Sequence, residues 1–195
     1  MRLTSEAATG GAGRQTTDTA PAIRIDTVNI RPATDSDLDA INALYNKLGV
    51  ATTASYDLEP ISLDERRAWY DDHLANDYPV LVAESDEQVV GFATYGQFRS
   101  KAGFRFTVEH SIYIDADQQS TGIGRSLMQE LIKIAESKGL HAMVGVVDAI
   151  NTTSIAFHQE LGFVIAGVLP QIGRKFDRWG DLTFLVLLLS QVSHD

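Results

Sequence analysis

The chain has 195 residues, a length that suits one domain, and its 44% hydrophobic content can furnish a sizeable core. A net charge of −10 argues against nucleic acid as a general partner, because phosphate contacts need clustered Lys and Arg; a small anion held locally is not excluded. No run reaches the roughly 20 apolar residues of a membrane span, and the absence of cysteine excludes disulfides and thiolate chemistry, as suits a reducing cytoplasm.

The first 26 residues are rich in Ala, Thr and Gly, lack the apolar centre of a signal peptide, and read as a flexible tail before one domain over residues 27–195. TVNIRPA (27–33) reads as a strand. TDSDLDAINALYNKLG (34–49) carries Leu38, Ile41, Leu44, Tyr45 and Leu48 at helical spacing, with a Thr34 or Asp35 cap and Gly49 as its stop. A loop leads to a second helix, SLDERRAWYDDHLAN (62–76), opened by a Ser62–Glu65 capping-box pattern. YPVLVAES and QVVGFATYGQF flank the acidic turn Asp86–Glu87 as a hairpin. FRFTVEHSIYI (104–114) alternates like a strand. A helix runs from Gly122 to Lys138–Gly139, then HAMVGVVD is a strand and NTTSIAFHQELG a short helix closed by Gly162. FVIAGVLP (163–170) and DLTFLVLLLS (181–190) are the last strands. The order β-α-α-β-β-β-α-β-α-β-β predicts an α/β (α+β) domain with helices packed on a mixed, mostly antiparallel sheet.

QQSTGIG (118–124) sits where a strand becomes a helix. The first amides of a helix have no intrahelical partner and carry the positive end of its dipole. Gly122 and Gly124 let a ligand approach the backbone, which makes the turn a candidate seat for a phosphate or pyrophosphate. It lacks the Gly-Lys-Ser/Thr of a phosphate-binding loop and the third glycine of a dinucleotide fingerprint. On these residues alone, a plain connector explains the turn equally well.

The spacing Gln119-x-x-Gly122-x-Gly124, followed about 30 residues later by NTTSIAFHQELGF, resembles the GNAT superfamily of acetyl-CoA-dependent N-acetyltransferases. IRPAT, TVEHSIYI, NTTSIAFHQELGF and VLPQIGRKFDRWGD narrow the resemblance to its phosphinothricin and methionine sulfone acetyltransferase group, over residues 28–189. The resemblance implies the GNAT acyl-CoA N-acyltransferase fold, a cytoplasmic homodimer, acetyl-CoA as co-substrate and no metal. It further implies that Ile112, Tyr113 and Ile114 bond the pantetheine arm, that Ser120, Thr121, Gly122, Ile123, Gly124 and Arg125 hold the pyrophosphate, and that Asn151 bonds a pantetheine amide. Asn151 also reads as an ordinary helix cap.

By the same resemblance His158 protonates the departing CoA thiolate, a task within reach of an imidazole at neutral pH; packing between Ile155 and Leu161 is the alternative. Glu109 is the candidate base for the acceptor amine, or else a solvated strand residue. Phe98 and Arg99 are the acceptor-binding candidates, with the Arg99 guanidinium suited to a carboxylate; a solvated loop Arg is the alternative. His110 has no assigned role. The chain departs from the group at Phe104 and, near the C-terminus, at Phe176, Asp177 and Gly180, while Lys175, Trp179 and Asp181 fit.

The expected activity is direct acetyl transfer to the amine of a small amino-acid-like acceptor such as phosphinothricin, methionine sulfoximine or methionine sulfone; a Cys acyl-enzyme is excluded. An acetyltransferase for a polyamine or aminoglycoside and a non-catalytic acyl-CoA sensor are the alternatives. Nucleic acid and membrane are not expected partners.

Overall fold

A computed structural model describes residues 28–190; the tail expected over residues 1–26, Thr27 and residues 191–195 lie outside the described residues. Strand β1 (Asn29–Pro32) leads through a 3₁₀ turn (Asp35–Asp37) into helix α1 (Leu38–Tyr45) and a π turn (Asn46–Val50). Helix α2 (Leu63–Ala75) opens on the expected capping box: Glu65 N–H donates to Ser62 Oγ at 3.3 Å, and Ser62 N–H to Glu65 Oε2 at 2.8 Å. Then come β2 (Val80–Ser85), β3 (Gln88–Gln97), β4 (Thr107–Ile114), α3 (Ile123–Ser137), β5 (Ala142–Asp148), α4 (Thr152–Glu160), β6 (Val164–Lys175) and β7 (Arg178–Leu188).

The strands form one sheet in the order β1-β2-β3-β4-β5-β7-β6. Only β4 and β5 run parallel; every other described neighbour pair is antiparallel. Successive strand side chains point to opposite faces, so both faces are covered. Val80, Val82 and Phe92 pack with Leu38, Ile41 and Tyr70 of α1 and α2. Leu81, Ala93 and Tyr95 pack with Leu127, Met128 and Leu131 of α3.

Three boundaries depart from the sequence pattern. The helix expected through Gly49 keeps α geometry only to Tyr45, then widens. Asn46 is tied to the main chain of Ile61 by two bonds of 2.9 Å, and the Gly49 carbonyl accepts from Lys175 Nζ at 3.3 Å, so outside partners draw the last turn open. The strand expected from residue 104 begins at Thr107, after a 3₁₀ turn at Ala102–Phe104. The last two strands are longer than expected and meet in a tight hairpin at Phe176 and Asp177, with φ of 51° and 57°. Positive φ at both positions suits a two-residue hairpin turn. GRKFDRWGD is therefore a hairpin tip.

Candidate active site

Strands β4 and β5 are paired only at Thr107–Ala142, Val108–Met143 and Glu109–Val144. Beyond that point β4 stays with β3 as far as Ile114, and β5 stays with β7 as far as Asp148. The two strands thus part into a fork. Main-chain groups on the β4 arm that face β5, within residues 110–114, have no strand partner there. Ile112, Tyr113 and Ile114 form the outer part of that arm.

The β4 arm feeds, through a 3₁₀ turn (Ala116–Gln118), into the start of α3. Ser120 and Gly122 take left-handed backbone, with φ of 64° and 92°. Ser126 N–H donates to the Gly122 carbonyl at 3.0 Å, so the amides of Ile123, Gly124 and Arg125 lie ahead of the intrahelical ladder. The first turn of α3 carries no acidic side chain to compete for them. A Cβ on Gly122 would stand in open space, and one on Gly124 would touch the Phe157 ring at 3.5 Å. Thr121 Oγ1 donates to the Gln118 carbonyl at 2.6 Å, and Arg125 is held to Glu160 on α4 at 2.6 Å. Asn151 caps α4, its Oδ1 accepting the Ser154 N–H at 3.0 Å, which leaves Nδ2 as a donor.

On the α1–α2 side of the sheet lies a cavity of about 510 Å³, walled by those helices, the loop after α1, β4 and the β6–β7 hairpin. Alternation along β4 turns Glu109, Ser111 and Tyr113 toward it. Loss of solvent pushes the Glu109 carboxyl above its usual pKa, and the charge of Arg99 partly offsets this. Phe98 and Arg99 do not line the cavity. Arg99 is exposed, its guanidinium 5.1 Å from the centre of the Phe98 ring.

The opposite face of β4 carries His110, packed on His158 of α4 with Nε2 atoms 3.2 Å apart. His158 Nδ1–H donates to the Ser154 carbonyl at 2.6 Å, so Nε2 of the neutral ring accepts from His110. This tautomer is assigned from the hydrogen-bond network. It leaves His110 Nδ1 bare, consistent with the lack of any partner for that buried atom. Burial lowers the pKa of both rings. Gly145 of β5 makes the room: a Cβ there would lie 2.8 Å from His110 Nε2. His158 is 2% exposed with both ring nitrogens engaged. The sheet thus separates Glu109 from His158, and the fork is the opening between their two faces.

The sequence model of the Acetyltransferase (GNAT) family matches residues 40–163. The chain belongs to the GNAT acetyltransferase family. This acetyltransferase is 46% identical over 162 residues to the L-methionine sulfoximine/L-methionine sulfone acetyltransferase of Pseudomonas aeruginosa, covering 83% of this chain and 94% of that protein. Its fold matches an N-acetyltransferase from Staphylococcus aureus with a TM-score of 0.82 and 43% identity, over 84% of this chain and 99% of that one. It also matches a GNAT superfamily phosphinothricin acetyltransferase from Sinorhizobium meliloti in complex with acetyl-CoA, with a TM-score of 0.81 and 31% identity, over 87% and 92%.

Two residues of this acetyltransferase's cavity, Arg66 and Tyr56, escaped sequence reasoning, and the structure gives a third, Lys175, a contact that its motif did not indicate. Arg66, in a helix whose polar spacing reads as solvent-facing, is buried in the cavity wall. Tyr56 lies across the hairpin: a Cβ on either Gly173 or Gly180 would collide with its ring or hydroxyl. Gly173 and Gly180 are cross-strand partners, so together they form the slot that seats it. Lys175 is 4% exposed and donates to the Gly49 and Ser55 carbonyls at 3.3 and 2.7 Å, pinning the hairpin to the loop that carries Tyr56. Lys175 and the replacement at Gly180 were visible in the sequence; Arg66 and Tyr56 left no signal there.

Proposed function

We propose that this acetyltransferase moves the acetyl group of acetyl-CoA to the amino group of a small amino acid, with methionine sulfone, methionine sulfoximine and phosphinothricin as candidate acceptors. One observation carries the reading: a cavity with a carboxylate on its wall, Glu109, lies where β4 and β5 part, and the same β4 arm leads on to a helix start with spare amides. Relatives bearing those names support the choice of acceptors.

Acetyl-CoA supplies the activated acyl group as a thioester. The amides of residues 120–125 hold its diphosphate, and Ile112, Tyr113 and Ile114 offer main-chain groups to its pantetheine arm, with Asn151 Nδ2 as a further donor. Glu109 takes the proton that an amino-acid ammonium must lose before it can attack. Phe98 and Arg99 remain the acceptor-binding candidates of the β3–β4 connection; they lie outside the cavity lining, and the charge of Arg99 reaches Glu109. His158 is the proton donor for the departing thiolate in the tautomer that carries its proton on Nε2, with His110 turned to accept; the proton returns to the ring from solvent after CoA leaves.

Release of CoA across a panel of amino acids, polyamines and aminoglycosides tests this. Turnover with methionine sulfone or phosphinothricin is expected. Turnover confined to polyamines or aminoglycosides would replace the acceptor assignment, and acetyl-CoA binding without release for any amine would leave a sensor.

The reading includes a homodimer. Strand β6 is a sheet edge with Val164, Val168, Leu169 and Ile172 exposed, a surface suited to a second copy. Light scattering on the purified protein should return twice the 21.3 kDa chain mass; a monomer at micromolar concentration removes this part.

A further inference from the structure

Arg66 is 3% exposed and lines the cavity. Its guanidinium is held between two rings, with Cζ 4.5 Å from the centre of Tyr45 and 4.5 Å from the centre of Trp69. The polar edge is poorly supplied. Nε reaches Asn42 Oδ1 only at 3.5 Å, and Nη2 has no partner. Asp57, whose charge reaches Arg66, gives its carboxylate to the Tyr45 hydroxyl instead.

Other buried charges in the described residues have closer partners, although Asp148 Oδ2 also lacks a hydrogen bond. Asp37 is forked by Arg31 at 2.7 and 2.9 Å. Lys175 meets two carbonyls, and Asp148 lies 3.6 Å from Arg178. A buried guanidinium that no carboxylate hydrogen-bonds is costly, and its planar fork suits one. The cavity therefore carries Glu109 on the β4 wall and Arg66 on the α2 wall, with Asp57 also lining it but bonded to the Tyr45 hydroxyl, so the free guanidinium edge is the pole that a carboxylate can meet.

We propose that Arg66 anchors the α-carboxylate of the acceptor amino acid. The inference rests on the reading of this cavity as the acceptor site. An amino acid is a zwitterion that answers both poles: its ammonium faces Glu109 and its carboxylate meets Arg66. Arg99, exposed and outside the cavity, acts on the charge of Glu109 and does not grip the carboxylate.

The test compares L-methionine sulfone with its α-carboxamide as acceptors of wild-type enzyme and of Arg66→Gln. The variant should raise KM for the sulfone by about 10–100-fold, the range for a hydrogen bond to a charged group. KM for the carboxamide, whose neutral oxygen makes a weaker bond, should move by a clearly smaller factor, about 2–10-fold, with acetyl-CoA affinity by calorimetry unchanged. Equal losses on both acceptors, or no loss on the sulfone, overturn the proposal. If the glutamine variant does not fold, Arg66→Lys makes the same comparison: a narrowed preference for the carboxylate supports the anchor, an unchanged one removes it. Wild-type enzyme that acetylates neither acceptor would defeat the acceptor reading itself, before any variant is made.

Discussion

His110 and His158 face each other through their Nε2 atoms at 3.2 Å, with ring centres 5.0 Å apart and planes 27° from parallel. Both rings are neutral at pH 7, because burial lowers their pKa from 6.5. In the unfolded chain they gain protons near pH 6.5, so the stability they contribute is present above that pH and is lost as pH falls below it. Melting temperature should drop between pH 7 and pH 5, and His110→Phe should flatten that drop. An equally steep drop in the variant would clear the pair of this effect.

Replacing His158 tests its part in turnover. His158→Ala should lower kcat by roughly 10²-fold or more, the typical contribution of a positioned acid, with little change in acetyl-CoA binding. Wild-type kcat would assign the ring to packing between β4, α4 and Phe163.

Glu109→Gln should cut kcat/KM by about 10²–10⁴-fold, as expected on loss of a general base. A base at Glu109 works only as the carboxylate, so under the proposed role activity should fall as pH drops through a pKa above the ordinary value of 4.5. Arg99 holds that pKa down, so Arg99→Gln should move the acid limb of the kcat/KM profile to higher pH. A limb that stays in place would show that the two charges do not communicate.

Gly122 combines φ of 92° with open space where a Cβ would sit. Gly122→Val strains the turn and masks the amides behind it. Acetyl-CoA affinity should weaken by tenfold or more, a loss of about 1.4 kcal/mol. Unchanged affinity by calorimetry would remove the turn from the binding site.

Gly180→Ala should expel Tyr56 from its slot, because the new Cβ and the phenol hydroxyl cannot share that space. Overpacking of this kind costs about 1–3 kcal/mol, and the acceptor KM should rise because Tyr56 lines the cavity. In a Tyr56→Ala background the same alanine should cost far less. Additive losses in the double variant would show that the two positions do not touch.

The short-range signals were readable in the chain. The Ser62–Glu65 box marked the start of α2, the Asp86–Glu87 turn marked the β2–β3 hairpin, and the glycines at 122 and 124 marked the start of α3. The β6–β7 hairpin was harder because Phe176 and Asp177 occupy positions that favour Gly or Asn. Alternation of TVEHSIYI along one strand put Glu109 and His110 on opposite faces, but their partners come from elsewhere: Gly145, His158 and the cavity wall. Arg66 was concealed by its own helix, since LDERRAWYDDHLA is polar on nearly every side and only the aromatic flanks from Tyr45 and Trp69 make a buried guanidinium tolerable there.

Three residue pairs stitch β4 to β5 before the strands diverge. Mechanically the protein is two smaller sheets joined at a short hinge, and anything that laces the two arms together acts as a splint. A thioester donor seated between them would add about 2.7 kcal/mol of thermodynamic protection at a hundred times its dissociation constant. Withdrawing that donor would loosen the same seam, and with it the protection.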